Sequence, residues 1–286
     1  MECVVATKRQ SDIADVRAFF ATQMAEASGS ADPRLRRAFE DVHREDFLGP
    51  GPWKIRTRQA YRETPTANPI HLYQNVLVAL DADRGINNGE PFLHAAWIGA
   101  VAPKSGETVC HIGTGTGYYT AILSRLVMPD GTVLAFEIDA GLAAKARISL
   151  AAYRGVTVVR DDATSSTIPE ADVIYVNAGL VAPPLSWLRA LRLGGRLIFP
   201  WRPSADVALA MLVTRSTAGF SVKPLMSAWF IPCIGASDAS GSSKTPRGPE
   251  AQSARSVWPV ADRAPDDSAV AIYEGIWFSS ETLRKV

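Results

Sequence analysis

The stretch VCHIGTGTGYYTAILSRL, Val109 to Leu126, sets Gly113, Gly115 and Gly117 between a short apolar run and an amphipathic one. Alternating glycines let the chain turn tightly and bring backbone amides and a helix N-terminus against a ligand. Dinucleotide sites favour G-x-G-x-x-G. Here the third glycine comes one position early and Tyr118 takes its place, a spacing that points to S-adenosylmethionine. Such a site calls for a carboxylate about twenty residues on, at the end of the next strand, to receive ribose hydroxyl protons. Glu137 in TVLAFEID answers that requirement, and Asp162 in VTVVRDDA is suited to receive an adenine amino group. Thr114, Ile138 and Ala163 sit beside these positions, Asn177 stands in the next apolar run, ADVIYVNAG, and all four are assigned to the cofactor with them. Asp139 reads as a helix N-cap, Asp161 as a loop residue and Cys110 as an apolar filler of the first strand. Tyr118 and Tyr119 open the helix beside the cofactor, one expected to cover it and the other to pack inward.

Ahead of that loop lies RGINNGEPFLHA, Arg84 to Ala95, unlike a helix or a strand at its start. Methyl transfer from a sulfonium asks the protein chiefly to align nucleophile, methyl carbon and sulfur. A carboxylate acceptor is already ionised at neutral pH, whereas an amine, phenol or alcohol gains from a nearby proton acceptor. Glu90, His94 and Asp81 are the candidates for that role. Against it, His94 reads more readily as a helix residue that packs and finds one hydrogen bond, and Asn87 and Asn88 read equally as turn residues. Trp53, Tyr61 and Tyr73 either wall an acceptor pocket or serve as packing.

The elements that must position these residues follow from periodicity. Apolar residues recur at helical spacing from Asp12 to Glu26 and from Pro33 to His43. FLGPGPWKI then breaks regularity, and NVLVALD is a strand candidate. Beyond Pro91 a helical pattern leads into the apolar runs TVCHIG, TVLAFEID, VTVVRDDA, ADVIYVNAG and GRLIFPW, with helical segments Tyr118 to Leu126 and Leu142 to Tyr153 between the early ones. Alternating apolar strands and helices indicate an α/β fold with a mostly parallel sheet covered on both faces. Residues 207–215, 220–232 and AVAIYEGIWFS read as further strands, making a sheet of about seven. The small polar stretch 236–256 reads as a flexible insertion without chemistry. The expected division is an acceptor-side region over 1–92, a cofactor-binding core over 93–235, that insertion, and a C-terminal strand region over 257–286.

A chain of 286 residues with 47% apolar content buries a full core, and 30 basic against 29 acidic side chains leave a net charge of +1 that favours neither nucleic acid nor membrane. Three scattered cysteines without a CxxC suggest neither a disulfide framework nor a zinc site, and no apolar run is long enough to span a bilayer. The expectation is a cytoplasmic enzyme acting on a protein, peptide or small-molecule acceptor, with no metal.

In series, DPRLRRAFEDVHREDFLGP, AYRETP, HIGTGTGYYTA, LRLGGRLIFP and WFIPCIG resemble motifs of the protein-L-isoaspartate O-methyltransferases, from about Pro33 to Pro232. The resemblance implies a Rossmann-like class I methyltransferase that uses S-adenosylmethionine and methylates a carboxylate of a protein or peptide. Two positions depart from it. His111 stands where the family has an acid near the methionyl part of the cofactor, so the resemblance groups it with the cofactor-binding residues, there to tune affinity or to pair elsewhere. Aligning on Pro91 puts Gly89 where the family has a hydroxyl residue implicated in acceptor handling, and Asn87 at a threonine, so Asn87 joins Glu90 and His94 as a catalytic candidate. The departures keep two alternatives open: a different acceptor, such as a small metabolite or a modified peptide, and a cofactor-binding protein without turnover.

Overall fold

The structure, a computed structural model, describes residues 2–283 and leaves the side chains of residues 2–12, Cys3 among them, outside that description. Helix α1 (Glu2–Ser28) is longer than its periodicity suggests and buries Phe20, Ala21 and Met24. Helix α2 (Pro33–Asp41) starts where Asp32 accepts from the amide of Arg34 at 2.9 Å, with Pro33 in the first turn where its missing N–H costs nothing. Two small hairpins follow, β1 (Lys54–Arg56) with β2 (Tyr61–Glu63) and β3 (Ala79–Asp81) with β4 (Ile86–Asn87). Of the expected strand NVLVALD only the last three residues form a strand, paired with β4 across a register shift. The preceding main chain is satisfied piecemeal, Leu77 accepting from Arg56 and Val78 from Asn88. Fully buried Arg44 holds this region together, donating to the carbonyls of Leu72, Gln74 and Val76 and to Asn88 Oδ1. Four carbonyl oxygens around one guanidinium offset the cost of burying its charge.

The core begins with α3 (Pro91–Val101), β5 (Thr108–Ile112), α4 (Tyr118–Val127), β6 (Thr132–Phe136), α5 (Ala140–Ser149), β7 (Val156–Val159) and β8 (Ala171–Val176). It continues through α6 (Leu185–Ala190), β9 (Leu191–Trp201), β10 (Leu209–Ser216), β11 (Gly219–Ser227), α7 (Gly248–Ala251), β12 (Ser256–Pro259), β13 (Ala269–Ile272) and β14 (Ile276–Ser279). One sheet carries ten of these strands in the order β13-β14-β12-β11-β10-β9-β8-β5-β6-β7. The α/β class holds, but the sheet is wider and less parallel than the seven mostly parallel strands expected. Strands β7, β6, β5, β8 and β9 run parallel, and everything from β10 onward is antiparallel. The reason is connection length: β9, β10 and β11 follow one another without helices, and short turns return a strand antiparallel. AVAIYEGIWFS is likewise a hairpin, with Ile272 opposite Trp277.

Strand β8 supplies both layers of core, Val173 and Tyr175 to one face and Ile174 and Val176 to the other. Residues 236–256 run beside β13, where Lys244 bridges to Ile272 and Ala251 and Ala254 are buried. After β5 the chain runs out to β6 and β7, then returns to β8 on the other side of β5. That reversal opens a crevice at the carboxyl ends of the strands, the usual place for a ligand in such a sheet. Among the described residues no helix is long and apolar enough to cross a membrane.

Candidate functional site

The crevice is a cavity of about 1040 Å³ that runs from the glycine loop to the 84–94 segment. Gly113, Gly115 and Gly117 have φ of 76°, 60° and 101°, the left-handed region that side chains with a β-carbon avoid. The loop is clamped rather than loose. Gly113 and Thr114 donate to the carbonyl of Phe136, and Gly115 donates to Glu137 Oε2 at 2.7 Å. Glu137 Oε1 accepts from the amide of Asp139 at 3.0 Å. Burial pushes the Glu137 carboxyl above the ordinary range, and the two backbone donors oppose that. With two lone pairs engaged, its oxygens keep acceptor capacity on the cavity wall.

At the end of β7, Asp162 Oδ1 takes both the amide and the hydroxyl of Thr164, at 2.9 and 2.7 Å, and Asp161 is held by Ser166 at 2.6 Å. Both aspartates line the cavity, as do Ile138, Ala163 and Thr114. Ala163 is fixed through its carbonyl, which accepts from Trp187 Nε1 at 3.0 Å.

His111 does not line the cavity, although the sequence grouped it with the cofactor-binding residues; it is fully buried under the loop. Position 111 faces inward because strand side chains alternate, and the loop glycines leave their backbone, rather than the strand, facing the ligand. Asn177 Nδ2 donates to its Nε2 at 2.9 Å, so Nδ1 carries the proton and donates to Thr120 Oγ1 at 2.8 Å. Thr120 is bonded in turn to Thr114. Burial drives the imidazole pKa down to about 3 and keeps it neutral. Asn177 is thereby held at the cavity with its buried Oδ1 unpartnered.

The other end is built by the β3–β4 ribbon and the start of α3. Asn87 Oδ1 accepts from the amide of Gly89 at 2.9 Å, a turn role, while Glu90 Oε1 accepts from Asn75 Nδ2 at 2.6 Å. His94 is buried, stacked on Tyr119 with ring centroids 3.7 Å apart, and bonded through Nδ1 to the Tyr175 hydroxyl at 2.9 Å. Burial keeps its pKa well below the ordinary histidine range. Gly89 has φ of 80°, and a β-carbon there would come within 3.0 Å of both His94 Nε2 and Tyr119 Cε2. The imidazole occupies the space a side chain at 89 would need.

Asp81 is not brought to the cavity; both its oxygens hold Arg84, whose guanidinium keeps that carboxyl below its usual range. Arg84 reaches across to Asp139 Oδ2 at 2.7 Å and ties the ribbon to the N-cap of α5. Tyr61 lines the cavity, whereas Trp53 and Tyr73 are buried outside it. Tyr118 and Tyr119 are both buried and both border the cavity. Sequence reasoning passed over Arg56, Arg84, Arg202 and Trp229, which line it as well. The signal available for Trp229 was an unbroken run of large apolar residues, WFIPCI, which an alternating strand cannot bury on one side.

Among protein families, the model described as Protein-L-isoaspartate(D-aspartate) O-methyltransferase matches residues 21–238. A protein-L-isoaspartate O-methyltransferase 1 of Geotalea uraniireducens is 30% identical over 230 residues, which span 79% of this chain and 95% of that protein. A protein-L-isoaspartate O-methyltransferase of Ignicoccus hospitalis is 30% identical over 204 residues, covering 70% and 88%. A solved protein-L-isoaspartate O-methyltransferase superposes with a TM-score of 0.64 at 18% identity, over 92% of this chain and 86% of that one. A Plasmodium falciparum structure, titled a putative member with S-adenosyl-L-homocysteine, gives 0.60 at 14% identity over 77% and 98%.

Proposed function

The chain belongs to the protein-L-isoaspartate O-methyltransferase family, and from that premise we propose that it transfers the methyl group of S-adenosylmethionine to a carboxylate of a protein or peptide. The observation that carries this reading is the single cavity that joins the clamped glycine loop to the His94 wall. The residues present fit the cofactor. Glu137 keeps acceptor capacity for two ribose hydroxyls, Asp162 Oδ2 stands free of the Thr164 bonds for an adenine amino group, and buried Asn177 Oδ1 lacks the donor that an amino group would supply. Once bound, S-adenosylmethionine supplies an electrophilic methyl carbon on a sulfonium that departs as a neutral thioether.

The chain's own residues then have little proton chemistry to perform. A carboxylate acceptor is ionised at neutral pH, and His94, held neutral by burial, takes no proton there; it fixes the wall against which the acceptor lies. Ile112, Phe136 and Tyr119 give the cavity apolar sides that exclude water from the nucleophile. Asn87 shapes the turn that presents Gly89, and Glu90 is anchored by Asn75. A second reading, methylation of a different acceptor, is favoured by one observation: Gly89 offers no hydroxyl where the family has one. We assign the protein to a reducing compartment, the cytoplasm, on three scattered cysteines without a CxxC; Cys110 and Cys233 are buried and unpaired among the described residues.

Calorimetric titration with S-adenosylmethionine, followed by labelled-methyl transfer to an isoaspartyl peptide, tests the main reading. Label confined to small molecules would favour the second, and absence of binding at pH 7 would sink both. Glu137→Ala is expected to weaken cofactor binding roughly ten-fold or more, because hydrogen bonds to a charged group contribute about 1.5–3 kcal/mol. An unchanged affinity refutes its ribose role.

A further inference from the structure

Residues 229–234 cross the mouth of the cavity with large apolar side chains turned outward: Trp229 is 63% exposed, Ile231 43% and Ile234 63%. The segment is not a loose loop. Gly179 donates to the carbonyl of Ile231 at 2.7 Å and accepts from the amide of Cys233 at 2.8 Å, which splices the segment onto the chain leaving β8. Phe230 points the other way and stacks on buried Trp97, with centroids 5.2 Å apart. Trp229 rests on Arg202, whose guanidinium lies 5.0 Å from the ring centroid and donates to the carbonyl of Phe230. Gly179 leaves room for that arginine, since a β-carbon there would sit 2.7 Å from Arg202 Cδ. Clustered apolar surface held in place by main-chain bonds at the rim of a cavity marks a binding site rather than incidental exposure.

We propose that residues 229–234, with Arg202, form a docking shelf for the acceptor polypeptide that selects large apolar side chains next to the reacting carboxylate. This rests on the methyl-transfer reading given above and names its substrate class more narrowly. Two observations commit the shelf to that occupant. It is continuous with the cavity, so whatever lies on it reaches the His94 wall. Arg56 and Arg202, both at the cavity, are paired with no carboxylate among the described residues, which complements the reacting carboxylate carried between those apolar side chains. A second copy of the chain fits poorly. Three partly exposed side chains offer on the order of 300 Å² against the roughly 800 Å² per partner of a stable interface.

The test uses two short fluorescein-labelled isoaspartyl peptides, identical except that the residues flanking the isoaspartate are leucine in one and serine in the other. Fluorescence anisotropy is read on the full chain with S-adenosylhomocysteine present. The leucine peptide is expected to bind roughly ten-fold more tightly, and the Trp229→Ser/Ile234→Ser double variant should bring that ratio close to one. Both residues are largely exposed, so the fold does not depend on them, and an unchanged urea-denaturation midpoint checks that the variant is folded. Equal binding of the two peptides, or a ratio that survives the double substitution, overturns the shelf. So does a dimer in sedimentation that Trp229→Ser dissolves. Leucine-dependent binding without methyl transfer to either peptide supports the shelf and refutes methyl transfer to such acceptors, which separates the two failures.

Discussion

Replacing Gly89 by serine, which supplies the hydroxyl that the motif resemblance implies at this position, is expected to reduce methyl transfer about 100-fold and to destabilise the fold by about 3 kcal/mol. The backbone at 89 sits at φ of 80°, where a residue with a β-carbon loses roughly 1–2 kcal/mol. The added atoms then meet His94 Nε2 and Tyr119 Cε2, so the imidazole must leave its stack and its bond to Tyr175. Overpacking of that kind costs about 1–3 kcal/mol. Urea denaturation reads the stability, and labelled-methyl incorporation reads the activity. Removing the obstructing ring in a Gly89→Ser/His94→Ala pair should return part of the lost stability, as expected for two residues in contact. A single Gly89→Ser variant as stable as the unaltered chain and more active would show that the hydroxyl is missing rather than displaced.

Acidification is expected to cost stability through the two buried imidazoles. The unfolded chain protonates a histidine near pH 6.5, but His111 in the folded chain stays neutral down to about pH 3 because burial penalises its charge. Between those values the unfolded state holds the extra proton. Stability from His111 is therefore intact above pH 6.5 and falls as pH drops through that value, by about 1.4 kcal/mol per unit, until it levels off near the folded pKa. From pH 7 to pH 5 the loss is about 2 kcal/mol for His111 alone, and His94, shifted in the same direction, adds to it. Chemical denaturation at the two pH values measures the sum. His111→Gln should make the slope shallower, and a slope unchanged by that substitution would mean that His111 does not stay neutral in the folded protein.

What the sequence made legible was local. The glycine loop, Glu137 and Asp162 lie within a strand and the turn after it, so spacing alone put them at three successive strand ends. The parallel half of the sheet was legible for the same reason, since helices between strands announce it. The antiparallel half was not, because an apolar run is equally apolar in either direction and only the short connections distinguish the two. His111 was grouped with the ligand because it stands where the resemblance implies an acid, yet strand alternation turns it inward. Asp81 faced the same difficulty: whether a carboxylate reaches a cavity or an arginine depends on a ribbon whose pairing is set by residues far along the chain. Arg44 gave no signal at all, since three of its four partners are main-chain carbonyls, which carry no residue identity, and the fourth, Asn88, lies 44 residues along the chain. The obstruction at Gly89 depends on the sign of a backbone torsion and on a ring five residues later, neither of which composition encodes.

Asp139 serves two masters. Its Oδ1 caps α5 by accepting from Leu142, its Oδ2 grips Arg84 of the ribbon, and its amide donates to Glu137. The cofactor half and the acceptor half thus share one residue, and occupancy of the two halves is thermodynamically reciprocal. Whatever factor a ligand beside Glu137 adds to the binding of an acceptor along the ribbon, that acceptor returns as the same factor in the ligand's retention. The side-chain tie between the two halves is the exposed Arg84–Asp139 ion pair, which dissolved salt screens and thereby loosens.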